Sequence, residues 1–75
     1  MIRLVHVYTS ETCSICDAVI PSLLEFLEGR YPVQIHYHTP GVPVPAFRLE
    51  GSTTINSGSG ISKQLKKKLK EENWL

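Results

Sequence analysis

Cysteine is scarce in this chain: two in 75 residues, with one tryptophan, one methionine and no apolar run long enough to cross a membrane. Two cysteines allow at most one disulfide, which excludes a scaffold held together by several bridges. A bridge across three residues would also close too short a loop to stabilise much. Charge of one sign is equally lacking. Eight Lys and Arg against seven Asp and Glu leave a net charge of +1, which argues against a dedicated polyanion binder. The opening MIRLVHVYTS has one basic residue and a short apolar run broken by His6, so it lacks the regions of a secretory leader. A cytoplasmic location follows as the expectation, and there a thiol pair is catalytic or metal-binding more often than structural. Repeats, linkers and low-complexity stretches are missing too. What remains, 41% hydrophobic and 20% charged, describes one domain over residues 1–75, near the lower size limit for a core without staples.

Residues 2–8, IRLVHVY, are β-branched, aromatic and alternating, which predicts a first strand. From Cys13 the period becomes helical. Cys16, Val19, Ile20, Leu23, Leu24 and Leu27 form the apolar stripe, Asp17, Glu25 and Glu28 lie opposite, and Gly29 is the stop. PVQIHYHT alternates again as a second strand. After the turn material PGVPV, AFRLEG and STTIN predict a hairpin joined at Glu50-Gly51. Ser62 is the expected N-cap of a last helix with Ile61, Leu65 and Leu69 as its seam. The predicted class is α/β, ordered β-α-β-β-β-α. Strands 1 and 2 are parallel through a right-handed crossover, and strand 3 runs antiparallel beside strand 1. One sheet face would then carry Val5, Val7, Val33, Ile35, Phe47 and Leu49. The other, holding His6, Gln34, His36, His38 and Arg48, would be open to water or to a partner.

Cys13 and Cys16 stand where the first strand gives way to the helix. A thiol there meets unpaired backbone N–H groups and the positive end of the helix dipole, conditions that favour the thiolate. Cys13 is expected to be the exposed nucleophile, and Cys16, one turn on, the resolving thiol that attacks the mixed disulfide on Cys13. Two other readings compete. One is a pair of inert reduced cysteines. The other is half of a zinc shell, completed by His36 and His38, although strand alternation turns those histidines away from the helix start. The lysines of the last helix read as a solvated face, because leucines interrupt them and no aromatic stacking platform accompanies them.

CSIC at a helix start, Pro21 five residues after the second cysteine, ISKQLKKKL at the end and VPAFRLEG before it together resemble the thioredoxin and glutaredoxin families over nearly the whole chain. The resemblance implies a minimal thioredoxin-like fold, with a four-stranded mixed sheet, and a dithiol–disulfide oxidoreductase using Cys13 and Cys16. It also implies a substrate surface formed by Thr12, Ser14 and Ile15 beside the dithiol, with Val44, Pro45 and Gly58 across from it. Pro43 and Pro45 both match a family cis-proline. Pro45 is preferred, because with Pro43 in that role Pro45 would fall inside a central strand and remove a ladder donor. Val44 would then offer its backbone N–H and C=O to an extended substrate.

The chain also departs from the families. Thr12 replaces the tryptophan usual in thioredoxins and Val7 their buried aspartate, leaving proton transfer vacant or passed to Asp17 or Glu11. Ser10 replaces the basic residue of glutaredoxins, and the stretch between strands 2 and 3 is too short for the families' intervening helix. With Glu11 near the dithiol and only Ser57, Ser59 and the SGSG backbone to receive it, glutathione is expected to be a poor donor. The expected partners are disulfide-containing proteins and a protein reductant such as a thioredoxin-reductase-like flavoenzyme. No bound cofactor, metal, nucleic acid or membrane is expected, and the protein should be a monomer. The alternative is a non-catalytic module of the same fold that holds zinc or a protein partner.

Overall fold

The computed structural model describes residues 3–74 and contains, in order, β1 (Val5–Thr9), α1 (Ser14–Leu27), β2 (Val33–Tyr37), β3 (Ala46–Leu49), β4 (Asn56–Ser57) and α2 (Ile61–Glu71). The sheet order is β2-β1-β3-β4, with β2 parallel and β3 antiparallel to β1, and β4 antiparallel to β3. This is the predicted α/β arrangement of a minimal thioredoxin-like fold. No helix occupies residues 38–45. The segment from Tyr37 to Ala46 is too short for a second crossover helix and instead carries Pro40, Pro43 and Pro45, which cannot sustain one.

β1 is central because all five of its residues are buried. Val5 and Val7 pair with Leu49 and Phe47 on β3, and both helices pack on that face. From α1 come Cys16, Ile20, Leu23 and Leu27 at spacings of four, three and four, which is one face of a helix. From α2 come Ile61, Leu65 and Leu69. Val19 and Leu24 flank the α1 stripe half-buried. After Leu27 the chain turns through Gly29 at φ 78°, a left-handed conformation that costs glycine nothing, so α1 stops where expected. Trp74 is buried on the core, and its carbonyl accepts bonds from the Arg3 guanidinium and the Tyr31 hydroxyl.

Several boundaries differ from the sequence reading. The predicted first strand began at Ile2, which lies outside the described residues, and it runs on to Thr9. The hairpin is not tight. Gly51 at φ 88° turns the chain after β3, residues 52–55 stay out of the sheet, and β4 is confined to Asn56 and Ser57. The Arg48 guanidinium accounts for part of this detour, because it donates to the Ser52 carbonyl at 3.0 Å and holds the loop against β3. Gly60, not Ser62, is the N-cap of α2, with no side-chain cap bond. The helix must begin one turn before Leu65 to bury Ile61, and Ser62 therefore falls inside its first turn.

Candidate active site at the start of the first helix

Cys13 is the N-cap of α1 in an extended conformation (φ −92°, ψ 105°), and its Sγ accepts the Cys16 backbone N–H at 3.1 Å. An N-cap side chain takes up one of the four helix-start donors that lack intrahelical partners. Sulfur here does what a serine or aspartate oxygen usually does. Cys13 and Cys16 are joined as a disulfide with their Cα atoms 5.2 Å apart. Cys13 is half-buried and Cys16 only 2% exposed, the predicted asymmetry. The approach to Cys13 is a turn held by three contacts. The Cys13 N–H donates to the Ser10 carbonyl at 3.2 Å, the Thr12 N–H to Ser10 Oγ at 3.3 Å, and the two hydroxyls meet at 3.1 Å.

The sheet brings the other sequence-predicted residues to this end. Tyr8 pairs with Ala46, so Pro45 lies beside the end of β1 from which the chain enters the cysteine turn. The Val44–Pro45 peptide is cis, as expected for Pro45 over Pro43. Ala46 pairs with Ser57, and the Gly58 N–H donates to the Pro45 carbonyl at 3.1 Å, so Gly58 joins the same corner. Val44 and Cys13 both pack at the margin of the core. Thr12, Ser14 and Ile15 are exposed around the dithiol, Ile15 by 51%. Val7 is fully buried among apolar neighbours, so no carboxylate takes the place it occupies. Glu11 and Asp17, the two substitutes considered from sequence, border a groove of about 370 Å³ whose lining includes Cys16.

Two arrangements were missed from sequence. His38 lies outside β2 in a left-handed conformation (φ 57°), its N–H bonded to the Thr9 carbonyl. Its ring reaches the cysteine turn, with Nδ1 3.4 Å from Ser10 Oγ and Nε2 3.9 Å from Glu11. The strand reading kept all three histidines away from the dithiol. His38 departs from it because the strand ends at Tyr37, so alternation no longer fixes its direction. On the sheet face away from the helices, His6 Nε2 meets Glu50 at 2.7 Å and His6 Nδ1 meets His36 Nε2 at 2.9 Å. His36 stacks on Tyr8, whose hydroxyl accepts from Arg48 at 3.2 Å. The predicted parity stands, yet the face is less open than expected, since these contacts bury His6 to 7% exposure. Among the described residues no three His, Cys, Asp or Glu side chains are grouped to hold a metal ion.

This polar cluster predicts acid sensitivity. Burial first, then the nearby His6 and Arg48, lower the pKa of His36, so the unfolded chain takes a proton near pH 6.5 that the folded chain resists. Stability should therefore fall as pH drops below about 6.5, until the folded His36 also titrates. Chiefly through the His6 hydrogen bond, the Glu50 carboxyl is held below its ordinary value. Its contribution is present above about pH 4.5 and lost as pH falls through the lowered folded value. The melting temperature is expected to decline in two stages from pH 7 downward, and His36→Gln should remove the upper one. A constant melting temperature between pH 7 and pH 5.5 would contradict this.

Compared with family models, with curated proteins and with solved structures, the chain matches none.

Proposed function

We propose that this protein is a thiol–disulfide oxidoreductase that reduces disulfides through Cys13 and Cys16. The observation that carries the reading is the position of Cys13, half-exposed at the N-cap of α1 with its sulfur accepting a backbone N–H. That donor and the helix dipole favour the thiolate, the form that attacks a disulfide. The resemblance to thioredoxins and glutaredoxins points the same way.

In the reduced protein the Cys13 thiolate attacks one sulfur of the substrate disulfide, forming a mixed disulfide and expelling the first substrate thiolate. Cys16 loses its proton and attacks Cys13 Sγ, which breaks the mixed disulfide, releases the second substrate thiolate and leaves the Cys13–Cys16 bond. Two electrons pass from the dithiol to the substrate, and an external thiol donor must restore the pair. The corner of Val44, Pro45 and Gly58 receives the substrate backbone. Thr12, Ser14 and Ile15 supply the surrounding contact.

The direct test is reduction of a protein disulfide with dithiothreitol as electron source, followed by alkylation of the reduced protein across pH. Cys13 should alkylate at least about tenfold faster than Cys16 at pH 7, with an apparent pKa below the ordinary value of about 8.5. Equal rates at the two thiols would defeat the helix-start argument. Zinc retained by a reduced protein without turnover would favour the binding-module alternative.

The donor is a second question. Glu11 stands beside the dithiol, and no lysine or arginine lines the groove that Cys16 borders. Glutathione is therefore expected to be a poor donor beside a protein reductant of the flavoenzyme class. Glu11→Lys should raise glutathione-supported turnover by a few fold at low salt. Because Glu11 is 78% exposed, the gain should fade as ionic strength rises. Efficient glutathione turnover by the unaltered protein would refute the charge argument.

A further inference from the structure

We propose that the free edge of β2 is a docking site for an extended segment of a partner protein that carries lysine or arginine beside a bulky apolar side chain. The site lies on the flank of the dithiol opposite Pro45, because β2 and β3 sit on opposite sides of β1. It does not depend on redox turnover.

The backbone register identifies which groups are free. The Pro32 carbonyl accepts from Val5 and the His38 N–H donates to Thr9, so the even-numbered residues between them turn their polar groups toward β1. Alternation then leaves the N–H and C=O of Val33, Ile35 and Tyr37 pointing outward. Among the described residues no strand pairs with that side. An exposed edge of this kind is normally blunted by lysine, proline, a bulge or extreme shortness. The opposite edge, β4, is two residues long. VQIHY has five residues and contains no charge and no proline.

The side chains of the same odd-numbered residues say what would be bound. Ile35 and Tyr37 face the helix side and remain 38% and 58% exposed. With Ile20, Pro21 and Leu24 of α1 they wall the groove of about 370 Å³, room for an aromatic or large aliphatic side chain. At its Tyr37 end stand Glu11 and Asp17, both exposed, and no basic residue lines it. A segment adding to β2 would gain main-chain hydrogen bonds from the edge, an apolar contact from the groove, and specificity for a positive charge two residues from the buried side chain. Two residues is the spacing of side chains on one face of a strand.

The test uses the oxidised full chain, labelled with 15N, and two capped peptides, Lys-Val-Phe-Val-Lys and Glu-Val-Phe-Val-Glu. The lysine peptide is expected to shift the amide signals of Val33, Ile35 and Tyr37 and slow their exchange with water, with Gln34 and His36 changing little. The glutamate peptide should bind at least tenfold more weakly, and the double variant Glu11→Gln, Asp17→Asn should reduce that difference to under threefold. Tyr37→Ala should weaken the lysine peptide while leaving the spectrum of the remaining fold intact. No shift with millimolar lysine peptide, equal affinity for the two peptides, or shifts confined to residues 44–46 would overturn the proposal. So would sedimentation showing that the protein alone dimerises through β2, which would assign the edge to a second copy.

Discussion

The Cys13→Ser variant is expected to lose disulfide reduction by ~10³-fold or more, the scale on which removing a nucleophile acts. A serine hydroxyl in the same N-cap position would still satisfy the helix start, so the fold should survive while the attacking thiolate is gone. Cys16→Ser should behave differently. The N–H that bonds Cys13 Sγ belongs to the Cys16 main chain, so replacing the side chain leaves that donor in place. Cys13 should therefore keep its fast alkylation, attack the substrate, and stop at a mixed disulfide that no neighbouring thiol resolves. Mass spectrometry of the trapped adduct, with circular dichroism to confirm folding, checks both variants. Reduction surviving Cys13→Ser, or adducts forming on Cys16 in the unaltered protein, would reverse the assigned roles.

The topology was legible in the sequence because every long element had one consistent period. β1 and β2 alternate, α1 buries Cys16, Ile20, Leu23 and Leu27, and α2 buries Ile61, Leu65 and Leu69. With a short hairpin following a β-α-β unit, few sheets remain possible. Short elements were where local pattern failed. STTIN has the composition of a strand, yet of its five residues only Asn56 enters the sheet, followed there by Ser57, since β3 is four residues long and Arg48 ties the preceding loop at Ser52. Ser62 is a better capping residue than Gly60, but burial of Ile61 decided where α2 begins. Tertiary packing overrode capping preference there.

The dithiol and its place at the helix start were legible from spacing, and the Pro45 corner from the resemblance to thioredoxins and glutaredoxins. Contacts between residues distant in sequence were not. His38 reaches Ser10 and Glu11 only because β2 stops at Tyr37, one residue before it, and His38 takes a left-handed conformation that no pattern announces. The bond from His6 to Glu50 required knowing that β1 and β3 pair Val5 with Leu49, which carries Glu50 to the end of β3 beside His6. Once that register is drawn, a carboxylate next to a buried histidine could have been anticipated. The groove beside Cys16 was hidden by assigning Ile35 to the apolar face. That face is correct, but α1 does not extend over the β2 edge, so Ile35 and Tyr37 stay exposed.

Phe47→Ala is expected to bring the protein to the brink of unfolding. Phe47 is fully buried in the strand between β1 and β4, paired with Val7 on one side and Asn56 on the other, and its cluster includes side chains from both helices. Removing such a ring costs about 3–5 kcal/mol, the lost burial plus the cavity that rigid neighbours cannot fill. A chain of this length has a total stability of about 4–11 kcal/mol, so one substitution consumes from a quarter of it to all of it. The contrast with β2 is informative. Tyr37 has comparable bulk but is 58% exposed, so Tyr37→Ala should shift stability by no more than about 0.5 kcal/mol. Urea unfolding of the two oxidised variants would compare them directly, with the midpoint falling steeply only for Phe47→Ala. Equal midpoints would mean that the ring at position 47 does not lie at the centre of the core, and the β1–β3 register would have to be redrawn.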